Sequence, residues 1–198
     1  MISRMSRNIS SFFIAHGIIP ENEKEVYSYS FEILFSTIIN FLALLIISII
    51  SHTFLETMLY ILGFVPLRQI TGGYHAKNHV RCFLILMFSY TLFLIILLFM
   101  PKTHLFIFTI TNIVVSTVLV LVFAPSEDKN KPLSEDEFTH FKKASRIAVV
   151  VYIACILMLV VFIANTAFAY SLAAGVLTVA ISLMANYIKY KKSILKVR

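Results

Sequence analysis

The sequence predicts an all-α, polytopic integral membrane protein with about six transmembrane helices and both termini in the cytoplasm. Three observations carry that expectation. The chain of 198 residues is 59% hydrophobic and only 14% charged, with a mean hydropathy of +0.88. Soluble domains carry roughly 45–50% apolar and about 25% charged residues. A water-soluble fold has no way to hide this much apolar surface, so the bilayer must be the solvent. Second, the apolar residues gather into six runs, at 31–51, 54–67, 83–100, 105–124, 147–164 and 167–188. Crossing takes about 20 apolar residues at 1.5 Å each. Third, when the runs alternate across the bilayer, every one of the 17 Lys and Arg except Lys102 falls on the same side. Basic residues stay on the cytoplasmic face during insertion. Both termini, the 68–82 loop and the 125–146 loop are therefore expected there. Five spans would put the basic tail outside.

Each element has its own justification. Residues 1–28 form an N-terminal segment in which Ile2, Met5, Ile9, Phe12 and Phe13 recur at helical spacing, with Arg4, Arg7, Asn8 and Ser11 between them. That pattern suits a helix lying in the membrane interface or one packed on the bundle. Pro20 is expected to end it, and Glu21-Asn22-Glu23-Lys24-Glu25 suits the first turn of the helix entering the membrane. The second run is short, with Glu56 near one end and Pro66 near the other, and fits a tilted, broken or re-entrant helix. Asn40 and Asn112 lie inside spans, where they can hydrogen-bond across helices. Pro132-Leu133-Ser134-Glu135-Asp136-Glu137 reads as a helix start, with Ser134 as N-cap and Glu137 at N3. That helix is expected to continue into the fifth span. Little more than Asn165-Thr166 separates the last two runs, so they should form a tight antiparallel hairpin.

The chain is expected to be a single membrane domain over 1–198, with its bundle at 31–188 and no cleavable signal peptide. Its net charge of +7 is accounted for by helix orientation and anionic headgroups. An acidic partner can use the same face, and no nucleic-acid partner is implied. Small residues around the last hairpin, Ala164, Ala167, Ala169, Ala173, Ala174 and Gly175, permit close helix approach and a homodimer. Cys82 and Cys155 lie at the cytoplasmic surface and inside a helix respectively, so no disulfide between them is expected. Cys155 reads as a small packing residue.

The chemistry concentrates at Arg68-Gln69-Ile70-Thr71-Gly72-Gly73-Tyr74-His75-Ala76-Lys77-Asn78-His79-Val80-Arg81-Cys82, a polar segment between two apolar runs. A free thiol is mostly protonated at neutral pH, and a neighbouring cation or imidazole generates the nucleophilic thiolate. Cys82 has His75, His79 and Arg81 nearby, and it begins an apolar helix whose N-terminus favours negative charge. His79, three residues before Cys82, shares a helix face with it. His75, seven before, is about 10.5 Å away along one continuous helix, but Gly72-Gly73 allows the loop to fold it back. Spacing does not decide between the two. A plain reading also exists, with Cys82 as an inert helix cap, the histidines as interfacial polar groups, and Arg68, Lys77 and Arg81 as topology signals. The His75, His79, Cys82 pattern can line one helix face like a metal site, but no fourth ligand is evident and Ala76 stands where a zinc protease would carry Glu. No metal and no cofactor is expected.

The segment Arg68…Gly72-Gly73-Tyr74-His75-Ala76…Cys82 resembles the signature of the accessory gene regulator protein B (AgrB) family. Those proteins are bacterial membrane cysteine endopeptidases that process quorum-sensing propeptides. The stretch Ala124-Pro125…Asp128-Lys129-Asn130-Lys131-Pro132-Leu133 is similar to the family's second cytoplasmic loop. The resemblance implies that His75 and Cys82 form the catalytic pair, overriding the local preference for His79. It implies a multi-pass protein of the bacterial plasma membrane, with its active site at the cytoplasmic face and an AgrD-like propeptide as partner. The implied reaction is cleavage through an acyl-enzyme, followed by thiolactone or lactone closure. Arg68, Gly72, Gly73, His79, Lys129 and Lys131 are the expected supporting or substrate-binding residues, with Gly72-Gly73 able to present N–H groups to an oxyanion. The rival classes are a small peptide transporter or exporter and a non-enzymatic membrane scaffold. Few charges in the spans and no broken-helix pair speak against transport.

Overall fold

The computed structural model describes residues 2–72, 79–126 and 133–195, without the side chains of residues 2, 79 and 190–195. Among the described residues the chain is built of helices: α1 (Ile2–Ala15), α2 (Lys24–Ile50), α3 (Phe54–Thr71), α4 (His79–Phe99), α5 (Lys102–Phe123), α6 (Glu135–Val161) and α7 (Thr166–Leu195). Five of these, α2 and α4 to α7, are long and apolar enough to cross a membrane. The chain is thus an all-α polytopic membrane protein.

The expected N-terminal helix ends earlier than Pro20, because the chain turns at Gly17 with φ +67°, a conformation glycine adopts without a Cβ penalty. The acidic run forms a short 3₁₀ turn, Glu21–Glu23, and leads into α2. The two readings of α1 combine. Ser6 and Ser10 are buried, and Phe13 stacks on Phe31 of α2 at 5.7 Å. Met5 and Phe12 remain exposed on the other side. Small side chains let α1 approach α2, where Phe13 also packs, while Met5 and Phe12 stay outside.

α3 is the second apolar run, and it is one unbroken helix of 18 residues, about 27 Å long. Glu56 in its first turn and Arg68 in its last flank the apolar part. Pro66 lacks the N–H that would bond the Leu62 carbonyl. The Tyr152 hydroxyl of α6 donates to that carbonyl instead, at 2.8 Å. A partner from a neighbouring helix is what lets proline sit inside a membrane helix. This replaces the broken or re-entrant alternative.

α7 is the axis of the bundle: 61% of its apolar span is buried, against at most 28% for the other four. Its crossing with α3 is close because glycines meet there. A Cβ on Gly63 would lie 2.5 Å from the Leu172 carbonyl oxygen, and one on Gly175 would overlap the Tyr60 carbonyl. Ala169, Ala173 and Ala174 are buried in the same core. Ala169, Ala173, Ala174 and Gly175 therefore serve packing within one chain, whereas Ala164 is exposed and Ala167 half-buried. Above the crossing, the Tyr60 hydroxyl meets Thr178 at 3.0 Å and Ser89 at 3.3 Å, and its ring stacks on Phe93 at 4.8 Å. Cys155, expected to pack inside, is instead exposed on the outer surface of α6.

The caps match the sequence. Ser134 and Glu137 form a reciprocal capping box at the start of α6, which runs without interruption from there into the fifth apolar run. Asn165 caps α7 through its Oδ1, accepting from the N–H groups of Ala167 at 3.1 Å and Phe168 at 3.2 Å.

Candidate active site

The site grows from the end of α3. The last turn of this helix ends at Gly72, with φ +71° and ψ −145°, a combination open essentially to glycine alone. The Gly72 backbone pairs with Ser126, just beyond α5, in an isolated bridge. The Ser126 N–H donates to the Thr71 carbonyl at 2.9 Å. A Cβ on Gly72 would lie 2.5 Å from the Ser126 carbonyl oxygen. Glycine is thus required twice, once for φ and once for the close approach. The bridge joins the two segments expected to face the cytoplasm and places their starts at one end of the bundle.

α7 holds this junction from behind. The Asn186 side chain, 7% exposed, donates through Nδ2 to Ser126 Oγ at 2.6 Å. One turn earlier, Ser182 Oγ accepts from an Arg68 Nη1 donor. The same Arg68 nitrogen donates to the Gly72 carbonyl at 3.1 Å. Thr178, Ser182 and Asn186 form a period-four polar line along α7, facing first Tyr60 and then the two loop starts. That line was the legible sign of Ser182 and Asn186 in the sequence, and sequence reasoning passed over it. A lone bridge residue such as Ser126 carries no comparable sign.

Cys82 stands in the first turn of α4 and is half-buried. Arg68, beyond the apolar part of α3, is close enough to feel the sulfur electrostatically. Burial lowers the guanidinium pKa from its ordinary value, and the neighbouring Cys82 raises it again. Arginine keeps its charge even so. Arg68, expected as a supporting residue, therefore bonds the glycine turn and lies within electrostatic range of Cys82.

The other expected site residues divide simply. Gly73, His75, Lys129 and Lys131 lie outside the described residues. His79 is the first residue of α4, and its side chain also lies outside them. Residues 68–71 prolong α3 and 79–82 begin α4, so the helices extend into both ends of the 68–82 segment. Likewise residues 135–146 of the second loop belong to α6.

Comparison with known proteins bears on this arrangement. The family model described as Accessory gene regulator B matches residues 6–183. Protein FsrB of Enterococcus faecalis is 31% identical over 127 residues, which is 64% of this chain and 52% of that protein. A putative AgrB-like protein of Clostridium perfringens is 27% identical over 159 residues, 77% of this chain and 74% of that one. Accessory gene regulator protein B of Staphylococcus saprophyticus is 28% identical over 89 residues, 45% of this chain and 46% of that protein. The chain thus matches about half the length of FsrB and about three quarters of the Clostridium relative. No solved structure matches.

Proposed function

The chain belongs to the accessory gene regulator B family, and from that premise we propose that it is a membrane cysteine endopeptidase of a quorum-sensing propeptide. The observation that carries the reading is the setting of Cys82: a half-buried residue in the first turn of α4, within electrostatic range of the Arg68 cation, at the end of the bundle where two loops are bridged.

In the proposed reaction His75 takes the proton of the Cys82 thiol, and the thiolate attacks a backbone carbonyl of the bound propeptide. The peptide C–N bond breaks as His75 returns the proton to the departing amine. The C-terminal fragment leaves with a new amino terminus, and the rest remains on Cys82 as a thioester. A thiol or hydroxyl within the same peptide then attacks the thioester carbonyl. Its proton passes to the Cys82 sulfur, and the ring closes. Exchange of a thioester for a thiolactone is nearly neutral, so this step needs no external energy source. It does need water to be excluded, since hydrolysis would yield a linear acid. The half-buried position of Cys82 favours that exclusion.

The active site is assigned to the cytoplasmic face on the charge asymmetry of the sequence. Lys129 and Lys131 on the second loop would then draw an acidic part of the propeptide toward Cys82. One cleavage assay in nanodiscs tests the roles together. Cys82→Ala and His75→Ala should abolish cleavage without impairing insertion, and His79→Ala should retain it. Reversal of Lys129 and Lys131 to Glu should raise KM at low salt and lose that effect at high salt, where screening takes over. Cleavage that survives His75→Ala and is lost in His79→Ala would transfer the base to His79. Peptide translocation without cleavage would favour the exporter.

A further inference from the structure

A largely apolar cavity of about 500 Å³ lies between α2 and α3, with Leu86 of α4 and Phe141 of α6 also lining it, and reaches Gly72, Pro125 and Ser126 at one end. Its volume falls within the range of roughly 300–1,000 Å³ usual for ligand sites. It is continuous with the candidate site in two ways. Arg68, which bonds the Gly72 carbonyl at the end of α3, lines it. So does Leu86, four residues beyond Cys82 and hence on the same face of α4.

One wall residue is out of keeping with the rest. Asn40 of α2 lines the cavity, yet its side-chain oxygen is enclosed with no hydrogen-bond partner. Leaving such an acceptor unmet in an apolar setting costs about 1–3 kcal/mol. A leucine would fill the same space without that cost. The amide turns readily about χ2, so it can present either its oxygen or its nitrogen to a group entering the cavity. An acyl chain of a lipid offers it nothing. A peptide backbone offers both a donor and an acceptor, and in a low-dielectric site that backbone must itself find partners.

Resting on the endopeptidase reading, we propose that this cavity is the subsite for apolar side chains flanking the scissile bond of a peptide substrate, with Asn40 pairing a backbone group of that peptide. A carbonyl placed at Cys82 then has its neighbouring side chain directed along the α4 face, past Leu86 toward Phe64 and Leu44. The substrate class follows: a peptide with bulky apolar residues next to the cleaved bond, bound in extended form.

The test uses the full-length protein in nanodiscs and a biotinylated synthetic peptide with an amphipathic start, a central cysteine and an acidic tail. Asn40→Leu should raise KM about fivefold to tenfold, the effect of one lost hydrogen bond, with a smaller effect on kcat. Its thermal midpoint should hold or rise, whereas a residue kept only for structure would lower it. Asn40→Gln, which keeps the amide, should recover part of the affinity. A benzophenone side chain at Thr37, on the exposed cavity wall, should cross-link the peptide, and one at Ile38, outside the cavity, should not. Lipid adducts alone at Thr37, with an unchanged KM in Asn40→Leu, would overturn the assignment and make the crevice a lipid site. Peptide cross-linked at Thr37 but left uncut by the wild type would refute the endopeptidase reading, and with it the subsite's place beside a scissile bond, while leaving the crevice a peptide-binding site.

Discussion

Gly72 is where a single residue most directly ties backbone geometry to chemistry. Its positive φ ends α3, and its missing Cβ lets the Ser126 backbone close onto it. Alanine there meets both obstacles, a strain of roughly 1–3 kcal/mol for the backbone and overlap with the Ser126 carbonyl. Gly72→Ala should therefore slow propeptide cleavage at least tenfold while expression and membrane insertion persist. A wild-type rate in that variant would show that the bridge lies outside the working site. The sequence already marked Gly72 as part of a break between two apolar runs. It did not reveal Ser126 as the contact, because a bridge between residues 54 positions apart depends on how α3 and α5 dock on α7. Arg68 was legible as a charge but not as a hub. Its bonds to Gly72 and Ser182 require the last turn of α3 to lie against α7.

Helices were the most legible level, since apolar runs, the Ser134 capping box and the Asn165 hairpin all rest on local patterns. The failures came where tertiary contacts supplied what local pattern lacked. Pro66 signals a break, yet Tyr152 compensates the Leu62 carbonyl and the helix continues. The small residues of the last hairpin signal close packing but not with which partner, and Gly63 of α3 meets them inside the chain. A methyl on Gly175 overlaps the Tyr60 backbone, which a side-chain rotation does not relieve. Gly175→Ala should thus cost about 1–3 kcal/mol, seen as a lower unfolding midpoint in mild detergent. An unchanged midpoint would mean that α3 and α7 do not cross at these glycines. The direction of the helices is a separate question, set by charge. In a background with Cys82 and Cys155 replaced by serine, a cysteine at position 102 should react with an impermeant maleimide on intact cells, and one at 129 should not. The opposite pattern would invert the assigned faces and carry the active site outside.

At the scale of the whole molecule, α7 acts as a central post, α3 crosses it at paired glycines, and the two loop starts are pinned together at one end. The polar contacts that join Arg68, Gly72, Ser126, Ser182 and Asn186 lie at this end of the bundle. This distribution suits chemistry at a membrane surface on a peptide held in the interface. The claim at the centre is that Cys82 carries the acyl group between cutting and closing. Intact-mass spectrometry of the protein rapidly quenched in acid after mixing with propeptide reads it directly, using a propeptide whose ring-closing cysteine or serine is replaced by alanine so that the intermediate accumulates. The mass should rise by that of the N-terminal peptide portion, the adduct should map to Cys82, and hydroxylamine should release it. Release of the cleaved fragment by the Cys82→Ala protein, at the wild-type rate and with no adduct formed, would contradict the account.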